Sequence, residues 1–120
     1  MSLQQTLWAF FSFSGRLSRP AFALAGLLLY LIRFYPIYRI YNAEGDEAAM
    51  TRWAAILLVM LCVLVLSHIA LSVKRLHDFN RTGWYSLLFL IGDFLAFLIL
   101  CLPQGTAGPN RYGRQTDQPA

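Results

Sequence analysis

Apolar residues along this chain gather in three long blocks separated by short polar stretches. The first runs from Pro20 to about Tyr41, the second from Trp53 to Val73 and the third from Trp84 to Leu102. Crossing a bilayer core of about 30 Å takes roughly 20 apolar residues in a helix. The second block, WAAILLVMLCVLVLSHIALSV, meets that length with His68 as its one ionisable side chain besides Cys62. The third carries one charge, Asp93, and the first is purest over Ala21–Ile32, with Arg33 and Arg39 beyond. Backbone polar groups in lipid must be paired within the segment, so each block is expected to be helical. Trp53, Trp84 and Tyr85 open blocks, and Tyr30, Tyr35, Tyr38 and Tyr41 crowd the far half of the first, as aromatic rings with polar tips do at headgroup level. The stretch Leu7–Phe13 is apolar but too short to span, and reads as an interfacial helix or a packed cap. The expected fold is therefore all-α: a polytopic membrane protein of one domain, 1–120. It has three transmembrane helices at about 20–41, 53–73 and 84–102, a short N-terminal interfacial helix and an irregular tail over 103–120.

Composition agrees. Of 120 residues 58% are apolar and 13% charged, against roughly 45–50% and about 25% in an ordinary soluble domain. That charge is too sparse to solvate a globule of this size, which argues against a soluble enzyme, a secreted disulfide scaffold and a disordered tail. A cleaved signal peptide fits poorly, because Arg33 stands where a small-residue cleavage site should follow Ala21–Ile32. Cys62 and Cys101 fall at different depths of their blocks, too far apart for a disulfide. With no metal-spaced Cys/His cluster and no phosphate loop, neither metal nor cofactor is expected.

Three spans place the N-terminus and the loop 74–83 on one side, and the loop 42–52 and the tail on the other. The first side holds Arg16, Arg19, Lys74, Arg75 and Arg81; the second holds Arg52, Arg111 and Arg114, with Arg39 at its edge. The excess puts the N-terminus in the cytoplasm. The net charge of +4 suits anionic headgroups rather than nucleic acid, since the basic residues flank apolar spans.

Two groups of polar residues need an explanation. A carboxylate at mid-bilayer costs at least about 2.5–3.5 kcal/mol, so Asp93 should be protonated, paired or facing water. Along helices rising about 1.5 Å per residue, His68 lies nearer its depth than Arg33, which can snorkel outward. An Asp93–His68 pair is either a polar clasp between helices or a proton-coupling site. The second group is the loop KRLHDFNRTGW, holding Lys74, Arg75, His77 and Asp78. If the second helix runs through it, Lys74 and Asp78 are spaced to pair, and Gly83 is free to take a positive φ after the helix ends. Adjacent helical residues point about 100° apart, so His77 and Asp78 do not form a catalytic dyad. The loop reads instead as a cytoplasmic collar that binds lipid phosphate and locks the helices.

The segments FSFSGRLSRPAF, RLHDFNRTGW and GTAGPNRYG occur in that order, and the last holds Asn110, Arg111 and Tyr112. This arrangement resembles the small bacterial inner-membrane proteins of the domain-of-unknown-function family 805, the YhaH-like proteins, over about residues 11–113. The resemblance implies a bacterial inner-membrane protein with a few helices and imports no catalytic residues. Two positions depart from the family: Gly92–Asp93 stands where a Pro is frequent, and Arg114 follows NRYG where Pro is frequent. Any role of Asp93 is thus particular to this chain and its near relatives. In physical terms Ser18 can cap a helix with Pro20 in its first turn, and Arg16 and Arg19 lie level with Asp78, near enough for a salt bridge. The three-span topology puts the NRYG tail on the opposite face, so a single cluster of all three motifs would overturn it.

The expected function is a non-enzymatic inner-membrane protein, an accessory or interaction subunit acting through helix packing and anionic-phospholipid contact, as a homo-oligomer or with a membrane-protein partner. The alternative is an oligomeric transporter or proton-coupled component using Asp93 and His68. Chemistry on lipid or prenyl phosphates through His77, Asp78 and the arginines is the third and weakest reading.

Overall fold

The computed structural model describes residues 2–90 and 92–118, with the side chains of 88–90 and 93 left out of the description. The order of elements is α1 (Leu3–Phe11), α2 (Arg19–Asn42), α3 (Glu47–Asp78), a 3₁₀ helix (Gly83–Leu90) and α4 (Asp93–Cys101). The chain is all-α. Two of its helices, α2 and α3, are long and apolar enough to cross a membrane.

Local chemistry sets the helix ends. Ser2 and Gln5 form a reciprocal capping box at the start of α1. Ser18 caps α2 as expected, its hydroxyl accepting from the Ala21 N–H, with Pro20 in the first turn. Gly45, at φ +90°, turns the chain between α2 and α3, and Asp46 caps α3 through the Ala49 N–H. The helix therefore begins six residues before Trp53. At its other end Asn80 adopts φ +61°, while the Asn80 N–H bonds to the His77 carbonyl and the Arg81 N–H to the Leu76 carbonyl. These paired bonds form a Schellman motif built on Asn. The positive φ thus falls on Asn80 and not on Gly83, whose role is steric. A Cβ on Gly83 would lie 2.8 Å from the Val73 side chain.

α3 is the spine. It touches α1, α2, the 3₁₀ helix and α4. Its 32 residues make a rod of about 48 Å, and its C-terminal third carries most of its buried residues. The core lies there, where Leu17, Phe22, Leu29, Leu71, Leu76 and Phe97 meet. Gly26 makes the contact between α2 and α4 possible, because a Cβ there would come within 2.2 Å of the Phe97 ring. The rest of the α2–α3 hairpin presents large apolar side chains outward, Leu31, Phe34, Leu58, Val59 and Val63 among them.

The third apolar block is not a continuous transmembrane helix, which corrects the three-span expectation. It is split near Gly92 into the 3₁₀ helix and the nine-residue α4. Both outer ends lie beside the C-terminal end of α3: Gly83 abuts Val73, and the carbonyls of Leu100 and Pro103 accept from Arg75. Between them Phe94 and Phe97 reach Tyr30, with ring centroids 5.4 and 5.3 Å apart. Tyr30 is eleven residues along α2 from Arg19, about 16 Å by helical rise. The block enters to about half the depth of the α2–α3 hairpin and returns.

Candidate functional site

The return of the third block brings all three sequence motifs together, so the expected placement of the tail on the opposite face is overturned. The centre is Asp78, 2% exposed, at the end of α3. Arg75, one helical turn back, donates to Asp78 Oδ2 at 2.7 Å. Arg16, from the linker before α2, approaches Asp78 Oδ1 at 3.1 Å through Nη2. The anticipated bridge between the first two motifs is therefore present, carried by Arg16, whereas Arg19 is exposed and stands outside it.

Each guanidinium is then occupied by backbone carbonyls. Arg16 Nη1 donates to the Gly108 and Gly113 carbonyls at 2.6 and 3.3 Å, and Nη2 to the Thr106 carbonyl at 2.6 Å, which fastens the tail. Arg75 donates through Nε to Leu100 at 2.9 Å, through Nη1 to Leu17, and through Nη2 to Pro103. Two buried cations against one carboxylate are tolerable because carbonyl dipoles complete their shells.

A second regularity is that polar side chains here take up the orphan carbonyls at helix C-termini. Lys74 donates to the Trp8 carbonyl at 2.5 Å and to that of Ala9, closing the end of α1, with Nζ 4.8 Å from the Trp8 ring centroid. Arg75 does the same for α4. Asn110 donates through Nδ2 to the His77 carbonyl at 2.9 Å and to that of Asp78, closing α3. Cations and donors belong at the negative end of the helix macrodipole. Lys74 is thus committed to α1, and the expected Lys74–Asp78 pair gives way to Arg75–Asp78.

His77 and Asp78 face different partners, as their adjacency predicts. His77 Nδ1 lies 3.0 Å from the Gly15 carbonyl, and its ring stacks on Tyr112 at 3.9 Å with an interplanar angle of 3°. The Tyr112 N–H is held by Asn110 Oδ1. Arg111 is exposed, its guanidinium over the Tyr112 ring. Past it, the Asp117 N–H bonds to the Arg16 carbonyl and the Ser18 N–H to Asp117 Oδ1, stitching the tail to the start of α2. Arg16 and Arg75 are buried and internally bonded, so they lock helices and tail and do not face lipid phosphate. Within the collar loop Arg75 is therefore turned inward, while Arg81 is exposed.

Sequence reasoning passed over three contributors. Lys74 was read as a flanking cation, a collar residue and a partner for Asp78, not as a cap on α1. Gly105 lies where a Cβ would come within 1.9 Å of Asp78 Oδ2. Thr106 joins the tail to α3 through its N–H and the Asp78 carbonyl at 2.7 Å. Gly105 and Thr106 lie in the GTAGPNRYG segment and Lys74 stood as a second cation at the end of an apolar helix, but none of these signals named the partner.

At mid-depth, His68 is buried with its ring 4.5 Å from that of Tyr30. Arg33 turns inward over the same Tyr30 ring, at 4.7 Å, instead of snorkelling away. Asp93 opens α4, next to Gly92, at a helix N-terminus where the dipole favours an acid. The Asp93–His68 pairing itself falls on a side chain outside the described residues.

Among known proteins, the chain is 44% identical over 48 residues to the inner membrane protein YhaI of Escherichia coli (strain K12), covering 38% of this chain and 40% of the relative. It is 45% identical over 47 residues to the inner membrane protein YhaH of the same organism, covering 37% and 38%. The matched segment thus spans about two fifths of each relative's length. No solved structure matches the chain significantly. The family model described as "Protein of unknown function (DUF805)" matches residues 10–114, nearly the whole chain with all three motifs inside it, and the chain belongs to that family.

Proposed function

We propose that this chain is a non-enzymatic protein of the bacterial inner membrane, an accessory or interaction subunit that works through helix packing and contact with anionic lipid. The observation that carries the reading is how the charged groups are used. Arg16, Arg75, Asp78 and Lys74 are buried and bonded to one another or to helix ends. Arg19, Arg81, Arg111 and Arg114 are exposed, on segments that leave this same knot. A rim of exposed arginines around an apolar body suits anionic headgroups, at about 1 kcal/mol per basic residue near the surface.

The knot also supports a two-span orientation with both termini in the cytoplasm. Arg16, Arg19, Lys74, Arg75, Arg81, Arg111 and Arg114 then share one side, against Arg52 and, at its edge, Arg39. The segment 53–73 would cross the hydrocarbon, leaving 74–78 at the headgroup level.

The test is thermal stability in nanodiscs of phosphatidylglycerol against phosphatidylcholine. The expected result is a higher Tm in the anionic discs, an advantage that shrinks in high salt and in the triple variant R19Q/R111Q/R114Q. Equal Tm in both would overturn the lipid-contact reading. The competing reading, an oligomeric proton-coupled component using Asp93 and His68, draws support from the burial of His68 beside Tyr30 and Arg33 at mid-depth. Proton flux into proteoliposomes that is lost in D93N would favour it.

A further inference from the structure

The returning block leaves a cavity of about 510 Å³ between the 3₁₀ helix and α4, open to the outside. Its wall is apolar, formed by Leu76 and Phe79 at the end of α3, Tyr85 of the 3₁₀ helix, and Leu95, Ala96 and Ile99 of α4. It extends from Gly92, at the inner turn of the returning block, to Arg81 and Pro103 at the knot. Its two ends therefore differ in chemistry. Among the described residues, Leu95, Ala96 and Ile99 line the part reached from Gly92, while Arg81, an exposed residue, lines the other end, with Trp84 77% exposed two residues beyond Thr82.

We infer that this cavity binds one anionic phospholipid, with an acyl chain lying between the 3₁₀ helix and α4 and its phosphate on Arg81. The inference rests on the membrane reading above and adds a specific site to it. Two features select the occupant. Charge complementarity at one end and apolar lining along the rest match an amphiphile aligned with the depth of the hairpin. A helix of a second copy is about 10–12 Å across with its side chains, so a single turn would fill this volume, whereas a flexible hydrocarbon chain threads it. The volume lies within the range of about 300–1,000 Å³ usual for small-ligand sites. Arg81 follows the Asn80 turn that ends α3, so its level is fixed by the same Schellman bonds that end the helix.

The test is native mass spectrometry of the purified chain in a detergent mixture with equal phosphatidylglycerol and phosphatidylcholine. Wild type is expected to retain one phosphatidylglycerol per chain, with about a fivefold preference over phosphatidylcholine for one partly screened ion pair. R81Q should bring the two lipids to parity. Ile99→Trp, at an exposed wall position, should lose both lipids while keeping the detergent Tm of wild type; Leu95→Trp repeats the block from the adjacent turn. Equal retention of the two lipids by wild type would overturn the inference. So would a folded Ile99→Trp or Leu95→Trp variant that retains phosphatidylglycerol as wild type does. If the preference survives in R81Q and vanishes in R19Q/R111Q/R114Q, the general rim contact stands and this site fails.

Discussion

Asp78 is the point at which the end of α3, the linker before α2 and the tail meet. Its carboxylate holds Arg75 and Arg16, and its carbonyl receives the Thr106 N–H. Removing one member of a buried ion pair leaves an uncompensated charge and costs about 3–5 kcal/mol. Asp78→Ala is expected to lose that much, seen as a clear drop in detergent Tm, because two guanidinium groups are stranded. Gly105→Ala should release the tail by steric conflict with Asp78 and leave the two ion pairs in place; limited proteolysis after residue 103 would report it, and unchanged protection would refute the packing. The Arg16–Asp78 contact was legible because both residues fall just outside apolar blocks on one side. The part played by Gly105 was not, because a glycine whose importance is a contact with a residue 27 positions away leaves no local pattern.

At the scale of elements, the third block shows what hydropathy misses. Its apolar content suits a continuous span or two short limbs equally well, because composition says nothing of continuity. The break did have a local sign: Gly92 followed by Asp93 reads as the start of a helix, and α4 begins there. Weighing Asp93 as a charge stranded inside a span hid that reading. The close approach of α2 and α4 rests on Gly26, so Gly26→Val should push Phe97 away and lower the Tm, while the ion pairs of the knot persist. Lys74 ties α1 to α3 through the carbonyls of Trp8 and Ala9. In Lys74→Met, amide exchange should quicken across α1 and stay unchanged in the middle of α3; equal exchange in α1 would show that the helix is held by other contacts.

For the whole molecule, the split of the third block beside two helices long and apolar enough to cross a membrane brings the tail back to the start of α2. The motif segments, spread from residue 11 to residue 113, fold into one polar knot at one end of a molecule 56 Å long. The all-α class and the two long helices were legible from block length alone. The topology was not, because the side on which a tail emerges depends on the parity of crossings, and one broken helix inverts it. The central claim is therefore that both chain ends lie on one side of the membrane and the turn between α2 and α3 on the other. Cysteine labelling in intact cells tests it most directly, with Cys62 and Cys101 replaced by Ala and single cysteines introduced as Gln4→Cys, Glu44→Cys and Gln115→Cys. With a membrane-impermeant maleimide the account predicts that positions 4 and 115 are protected together and position 44 reacts; position 115 reacting together with 44 while 4 stays protected would contradict it.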